Sequence, residues 1–131
     1  MKRLAQQLQK IHHVAIIVSD YEKAKAFYVE KLGFEILRES SRPKEGDWKL
    51  DLRMGNQELE IFWKKDAPAR LSYPEACGLR HLAFWVGDID AAVKALKEAG
   101  IATEEIRCDE FTGKRMTFFR DPDGLPLELH E

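Results

Sequence analysis

The sequence lacks three features that mark specialised classes of protein. It has no run of about 18 or more apolar residues, and its polar first ten residues lack the apolar core of a signal peptide. Cys77 and Cys108 are its only cysteines, and neither lies in a Cys-x-x-Cys or other recognisable metal-binding pattern. These absences argue against a membrane span and a disulfide framework. They predict a soluble protein of the cytoplasm with both cysteines reduced.

The chain also lacks an excess of charge of either sign. Its 21 basic and 23 acidic residues leave a formal net charge of -2. Such a balance offers no general electrostatic attraction for nucleic acid or for an anionic membrane surface, so neither is expected as a partner. The length of 131 residues and the hydrophobic content of 44% are enough for one domain with a real core, spanning residues 1–131.

What the sequence does contain is one stretch that occurs twice. His13 to Asp20 and His81 to Asp88 both read as histidine, five apolar residues, one small residue and aspartate. Successive side chains of a strand point to opposite faces, so each copy is typical of a β-strand that begins at its histidine. The same alternation favours a place in the core for Trp85, although its phase, shared with His81, would also suit the wall of a pocket. Because the pattern recurs, we expect two equivalent structural units.

The two halves around these copies predict the same order of elements, β-α-β-β-β. Modules 11–63 and 79–131 are joined by linker 64–78, and the polar stretch 40–47 is predicted as a loop. A sheet with one helix on its back leaves its other face bare, so two such modules must pair, within or between chains. The predicted helices are 21–32 and 89–99, and the predicted strands are 11–18, 34–38, 48–54, 58–63, 79–86, 101–107, 114–120 and 125–129.

The equivalent positions predict a metal site. Glu60 lies 47 residues after His13, and Glu128 lies 47 residues after His81, each between apolar residues on a predicted strand. A buried carboxylate needs a compensating partner, and imidazole and carboxylate together suit zinc, nickel, cobalt, iron or manganese. The alternative is that the histidines are core residues and the glutamates face solvent. The recurrence of the pair favours the metal site.

Two further histidines compete with this set. His12 has no equivalent, because Arg80 occupies the matching position, and alternation directs it away from His13. His130 shares a face with Glu128, but its equivalent is Phe62, which cannot bind a metal. We therefore assign neither to the site.

Several motifs together resemble the vicinal oxygen chelate superfamily, specifically its glyoxalase I-like members. The resemblance covers residues 11–131 and rests on the two histidine stretches, Phe27-Tyr28, Leu32-Gly33-Phe34, and Asp121-Pro122-Asp123-Gly124 leading to Glu128. It implies an α+β fold in which two tandem β-α-β-β-β modules form a cupped, incomplete eight-stranded barrel around a metal. The implied ligands are His13, Glu60, His81 and Glu128, with one divalent ion per site, Zn²⁺ or Ni²⁺ first and Co²⁺, Mn²⁺ or Fe²⁺ as alternatives.

The resemblance also implies a reaction. A glyoxalase I-like lyase isomerises a hemithioacetal, a small oxygenated substrate, to a 2-hydroxyacyl thioester through a metal-stabilised enediolate. Glu128 would be the catalytic base and Glu60 its symmetric partner. Glutathione-using members carry a basic residue where this chain has Ile17, so the resemblance does not identify glutathione as the thiol.

Relatives with other activities leave alternatives open. Members of the superfamily include metal-free proteins that sequester drugs and iron-dependent dioxygenases, and either class is an alternative for this chain. Relatives also often complete each site with modules from two chains, which implies a homodimer.

Overall fold

The first copy of the repeated stretch forms a strand followed by a capped helix in the computed structural model, which describes residues 3–131. Strand β1 (His13–Val18) leads to Asp20, whose carboxylate accepts a hydrogen bond from the Lys23 amide at 3.0 Å and caps helix α1 (Tyr21–Lys25). A π-helical stretch, Ala26–Lys31, continues it. The predicted helix at 21–32 is therefore present, with its second half wound more loosely.

The second copy repeats this arrangement. Strand β5 (Leu82–Trp85) leads to Asp88, which accepts a hydrogen bond from the Ala91 amide at 3.0 Å and caps helix α2 (Ile89–Glu98). The following Gly100 has a φ of 78°, the left-handed conformation that ends many helices. Each aspartate of the repeat therefore fixes the point at which its strand gives way to a helix.

Each helix accompanies a four-stranded sheet with one topology. The strand orders are β1-β4-β3-β2 and β5-β8-β7-β6, in which β1 pairs with β4 and β5 with β8 in parallel, while the other pairs are antiparallel. The predicted α+β class with two β-α-β-β-β modules is thus confirmed. The remaining strands are β2 (Glu35–Arg42), β3 (Asp47–Met54), β4 (Gln57–Lys64), β6 (Arg107–Cys108), β7 (Arg115–Arg120) and β8 (Pro126–His130).

The two sheets belong to two compact units, which divide between Ala67 and Pro68. The division falls inside the predicted linker 64–78, and each predicted module lies in one unit. The prediction of a single domain over residues 1–131 includes Met1 and Lys2, which lie outside the described residues.

One face of each sheet forms the core of its unit. In the first unit, buried Ile16, Leu50 and Ile61 lie on three adjacent strands. Because strand side chains alternate, His13, Ala15 and Glu60 must lie on the other face. The burial of aliphatic side chains on one face therefore determines which polar residues the opposite face presents.

Two predicted boundaries are wrong. The predicted loop 40–47 is shortened to a turn at 43–46, because the Arg42 guanidinium donates two hydrogen bonds, at 2.7 and 2.6 Å, to the opposite Asp47 and holds the polar strand ends together. The predicted strand 101–107 is reduced to β6 and one bridge at Thr103. There the Thr117 hydroxyl donates a hydrogen bond to the Glu104 carbonyl at 2.8 Å. A side chain therefore occupies a backbone carbonyl that would otherwise accept a hydrogen bond from a neighbouring strand.

Two predictions made from absent features can be compared with the structure. Both cysteines are free thiols at exposed positions, as expected. Among residues 3–131, no helix has the length and apolar character needed to cross a membrane.

Candidate metal and proton-transfer site

The first predicted pair comes together on the open face of the first sheet. In the parallel pairing of β1 and β4, Ala15 lies opposite Glu60, and His13 lies two residues earlier on the same face. The His13 Nε2 atom is 3.4 Å from Glu60 Oε2. The Glu60 side chain is 15% exposed and that of His13 is 41% exposed, so the histidine forms the solvent side of the pair.

The second predicted pair has the equivalent position in the second sheet. Ala83 lies opposite Glu128 in the parallel pairing of β5 and β8, and His81 immediately precedes β5. The His81 Nε2 atom is 3.8 Å from Glu128 Oε2, and the Glu128 side chain is 12% exposed. Each predicted histidine therefore lies beside its predicted glutamate.

The spacing of these atoms suits ligands of one ion. Nitrogen and oxygen ligands about 2.1 Å from a common ion lie about 3.0–3.4 Å apart at ordinary coordination angles. The His13–Glu60 separation matches this range, and the His81–Glu128 separation exceeds it by a few tenths of an ångström. Both are longer than ordinary N–H···O hydrogen bonds. In residue type and spacing, each pair fits half of a metal site.

A complete metal site needs more than one of these pairs. Within residues 3–131, the structure contains no group of three or more histidine, cysteine, aspartate or glutamate side chains placed to hold an ion. Each unit supplies two donors. The four-ligand site of His13, Glu60, His81 and Glu128 therefore stays a prediction.

The residue before each histidine of a pair contacts that histidine. His12 Nδ1 lies 2.9 Å from His13 Nδ1, and Arg80 Nη1 lies 3.2 Å from His81 Nδ1. The expectation that His12 faces away from His13 is wrong, because β1 begins only at His13 and strand alternation does not extend back to residue 12. Partners on the second ring nitrogen set the orientation and tautomer of a ligand histidine.

The Arg80 contact has a consequence for the His81 ring. A guanidinium can only donate, so His81 Nδ1 accepts, and in the neutral ring the proton lies on Nε2. An ion bound at Nε2 needs that lone pair, so Arg80 must first turn away. The Arg80 side chain is largely exposed and pairs with Glu75 at 2.7 Å, so it is free of the packing that would prevent this movement.

The surroundings of Glu60 are strongly charged. Lys49 Nζ lies 3.5 Å from Glu60 Oε1 and 3.3 Å from Oδ1 of Asp51, the residue directly opposite Glu60. Arg38 donates to the second oxygen of Asp51 at 2.9 Å and to Glu58 at 2.7 Å. Alternation along β3 could have identified Lys49 and Asp51, once the pairing of β3 with β4 was known.

The surroundings of Glu128 are different. Phe118 lies directly opposite it, and the Phe118 ring meets the His81 ring edge to face at 5.3 Å. Within the described part of the chain, His81 is the one basic side chain within 4 Å of the Glu128 carboxylate. Glu60 is thus held by a fixed cation, whereas Glu128 borders an aromatic ring and a histidine.

Two other predictions concern residues near this face. His130 lies outside the His81–Glu128 contact: its Nδ1 is 2.7 Å from the Glu131 carbonyl and its Nε2 is 3.5 Å from Asp109. These partners raise the pKa of His130 above its ordinary value, and the contact with the Glu131 carbonyl has the largest effect.

Trp85 is 79% exposed, so its predicted place in the core is wrong. Its strand phase, shared with His81, puts it on the open face instead.

Comparison with known proteins identifies the family. The sequence profile of the Glyoxalase/Bleomycin resistance protein/Dioxygenase superfamily matches residues 10–129. The crystal structure of a glyoxalase family protein from Enterococcus faecalis is 63% identical, with a TM-score of 0.92, and the match covers 95% of this chain and 99% of that one.

Two curated relatives span most of the chain. The uncharacterized protein YwkD of Bacillus subtilis (strain 168) is 59% identical over 125 residues, covering 95% of this chain and 98% of that protein. The mitochondrial methylmalonyl-CoA epimerase of Homo sapiens is 33% identical over 132 residues, covering 95% of this chain and 74% of that protein. With its two β-α-β-β-β modules and its paired histidines and glutamates, the chain belongs to the Glyoxalase/Bleomycin resistance protein/Dioxygenase superfamily.

Proposed function

We propose that this protein is a divalent-metal-dependent, glyoxalase I-like lyase or isomerase that removes a proton from a carbon beside a carbonyl or hydroxyl oxygen. Its substrate is a hemithioacetal or a related small oxygenated compound. The proposal rests chiefly on one observation, the same histidine–glutamate pair at equivalent positions of two sheets. A superfamily that contains enzymes of this type supports it.

The four residues of the two pairs are the proposed ligands. His13 and His81 would contribute Nε2, and Glu60 and Glu128 would contribute carboxylate oxygens, a donor set suited to Zn²⁺ or Ni²⁺ and also to Co²⁺, Mn²⁺ or Fe²⁺. The bound ion would supply Lewis-acid stabilisation of negative charge that develops on a substrate oxygen. His12 contacts the second ring nitrogen of His13 and would set the orientation of that ligand, whereas Arg80 would have to leave His81 Nδ1 before His81 Nε2 could bind the ion.

Glu128 is the proposed general base. Its carboxylate takes the proton from the carbon that bears the hydroxyl group and sulfur, while the C–H electron pair forms a double bond to the carbonyl carbon and the carbonyl π pair moves onto its oxygen. The carboxylate then returns the proton to that second carbon, and the hydroxyl proton passes to the former carbonyl oxygen, which completes the isomerisation. Its surroundings support this role, because the residue opposite it is Phe118, which offers no competing cation. Glu60, held by Lys49 at 3.5 Å, is the more firmly fixed of the two carboxylates.

Epimerisation is a second candidate, favoured by the 33% identity with human methylmalonyl-CoA epimerase. The first step is the same removal of a proton beside a carbonyl group. The proton then returns to the same carbon from the opposite side, which requires a second acid. Glu60 and Glu128 would provide one carboxylate for each side of the carbon.

The experiment that tests the proposal measures metal content first and turnover second. Protein purified without added metal should contain about one divalent ion per site, and His81→Ala should lose most of it. After loading with zinc or nickel, lyase activity is followed as thioester formation from methylglyoxal and several thiols. Epimerase activity is followed by NMR as exchange of the α-hydrogen of methylmalonyl-CoA with deuterated solvent.

The matched control is His130→Gln, because His130 lies on the same strand as Glu128 but outside the pair. Absence of both reactions with every metal and thiol would refute the proposal. Metal-free protein that binds planar drugs would favour a sequestering role instead. Oxygen uptake with catechols and ferrous ion would favour a dioxygenase.

We also propose a homodimer located in the cytoplasm. The repeated module and the superfamily support dimerisation, since the sheet faces that carry the pairs also carry the exposed apolar residues Ile17 and Trp85, which a partner could cover. Light scattering coupled to size-exclusion chromatography tests it. A mass near 15.2 kDa, that of one chain, at micromolar concentration would contradict it.

A further inference from the structure

The second unit contains a cavity rich in arginine, separate from the four predicted ligands. Its volume is about 420 Å³, within the range of about 300–1,000 Å³ that holds small-molecule ligands. That is far more space than a reacting fragment of two or three carbon atoms needs. Four of its lining residues are arginines, namely Arg70, Arg80, Arg107 and Arg120.

The negative charges of the carboxylates that line this cavity do not neutralise the positive charges of its arginines. Glu104 is shared by two of them, with Arg107 at 3.1 Å and Arg120 at 3.2 Å, and Glu75 pairs with Arg80 at 2.7 Å. Two carboxylates therefore face four guanidinium groups, which leaves an excess of two positive charges.

Arg70 is held in this cavity by two hydrogen bonds to backbone carbonyls. It donates through Nη2 to the carbonyls of Leu79 and Arg80, at 3.0 and 2.8 Å, and its Nε is buried with no hydrogen-bond partner in the described structure. Within residues 3–131, no carboxylate lies within 4 Å of its guanidinium. The backbone contacts hold Arg70 in place, and a buried unpaired N–H is costly unless a ligand accepts from it.

Two residues connect this cavity with the His81–Glu128 pair. Phe118 lines the cavity, lies opposite Glu128, and contacts the His81 ring. Arg80 lines the cavity and reaches His81 Nδ1 at 3.2 Å. A molecule bound among the arginines therefore has its near end at the proposed reaction site.

We propose that this cavity binds the anionic end of the substrate, an oxyanion group with about two negative charges. The inference deepens the proposed function and rests on it for the role of the bound molecule. Guanidinium groups bind carboxylate and phosphate oxygens through paired, charge-assisted hydrogen bonds, and two uncompensated positive charges match a phosphate ester or a dicarboxylate. The substrate class is then a small oxygenated compound with a strongly anionic remote group.

Binding of simple anions tests the cavity independently of any reaction. Metal-free protein is titrated by calorimetry at low ionic strength with pyrophosphate and with malonate. We expect saturable binding of at least one of them. Tighter binding of pyrophosphate would indicate a phosphate-bearing substrate, and tighter binding of malonate would indicate a dicarboxylate.

The variants Arg107→Gln and Arg120→Gln should each weaken this binding by about tenfold. Both arginines are about half exposed, so circular dichroism should confirm that both variants fold, and either one alone suffices for the test. The matched control is Arg53→Gln, an exposed arginine of the first unit that pairs with exposed Glu35, and it should bind as the wild type does. No saturable binding of either anion, or equal weakening in Arg53→Gln, would overturn the inference.

Kinetics separate this inference from the proposed function. With an anionic substrate, Arg120→Gln should raise KM by about tenfold and change kcat by less than about threefold, because the guanidinium binds a group remote from the reacting carbon. Anion binding without any turnover would overturn the proposed function and leave the cavity as an anion site. Turnover with no effect of either arginine on KM would overturn the cavity's role.

Discussion

The two glutamates should differ in what their loss does to the reaction. In Glu128→Gln the side chain keeps its shape and one oxygen but can no longer accept a proton. Removal of a general base costs about 10²–10⁴-fold in rate, or roughly 3–5 kcal/mol of transition-state stabilisation. We therefore expect proton exchange at saturating metal to fall by at least about 100-fold.

Glu60→Gln should have a smaller effect on the reaction, because Lys49 holds Glu60 in place. At 3.5 Å the attraction between the two charges is at most about 5 kcal/mol for an effective dielectric constant near 20. The Lys49 side chain is a quarter exposed, so we take about 1 kcal/mol as the net value after screening. This attraction favours the position of the Glu60 carboxylate beside Lys49 over a position at the substrate by about fivefold. We expect Glu60→Gln to retain more than about a tenth of the rate once metal is saturating, and to need more metal.

The assay is NMR of α-hydrogen exchange in deuterated water, with the metal concentration raised until the rate no longer changes. Lys49→Met provides a control, because it frees Glu60 and should reduce the loss caused by Glu128→Gln. Equal losses in the two glutamine variants, or a greater loss in Glu60→Gln, would refute the reasoning.

Three further predictions follow from contacts around the site and the turn before β8. Arg80→Gln should tighten zinc or nickel binding by about three- to tenfold, because the wild-type arginine contacts His81 Nδ1 and repels a cation. A competition titration with a chelator measures this affinity, and weaker binding in the variant would contradict the account. Asp121→Ala should lower the free energy of unfolding by about 2–4 kcal/mol in a urea titration, because the buried Asp121 carboxylate accepts two backbone N–H hydrogen bonds at 2.9 Å. The control Asp123→Ala should lower the free energy of unfolding by less. His130 contributes stability because its pKa is raised in the folded protein. This contribution is fully present below the ordinary pKa of 6.5 and is lost as the pH rises through the pKa of the folded state. The stability advantage of the wild type over His130→Gln should therefore shrink from about pH 6.5 upward, and a constant difference from pH 5 to 9 would exclude this linkage.

The sequence was sufficient to predict the elements and the pairs because both depend on short-range patterns that occur twice. Alternation from His13 and His81, the capping aspartates and the equal spacing to Glu60 and Glu128 are all visible without knowledge of strand pairing. Each histidine was correctly matched with its glutamate, since equivalent positions in equivalent folds must have equivalent neighbours.

What the sequence could not predict depends on pairing between strands and on residues just outside them. The contacts of Lys49 with Asp51 and Glu60 arise only when β3 pairs with β4 in the observed register. The contact of Arg80 with His81 requires the chain to leave strand geometry before β5. The salt bridge from Arg42 to Asp47 likewise extended two strands into a polar stretch with the composition of a loop.

The different residues opposite the two glutamates have an evolutionary consequence. Asp51 lies opposite Glu60, whereas Phe118 lies opposite Glu128. A protein assembled from identical single modules would have to carry the same residue at both positions, and any mutation would change both halves at once. Joining the modules in one chain removes that constraint, so the surroundings of each glutamate can change independently of the other.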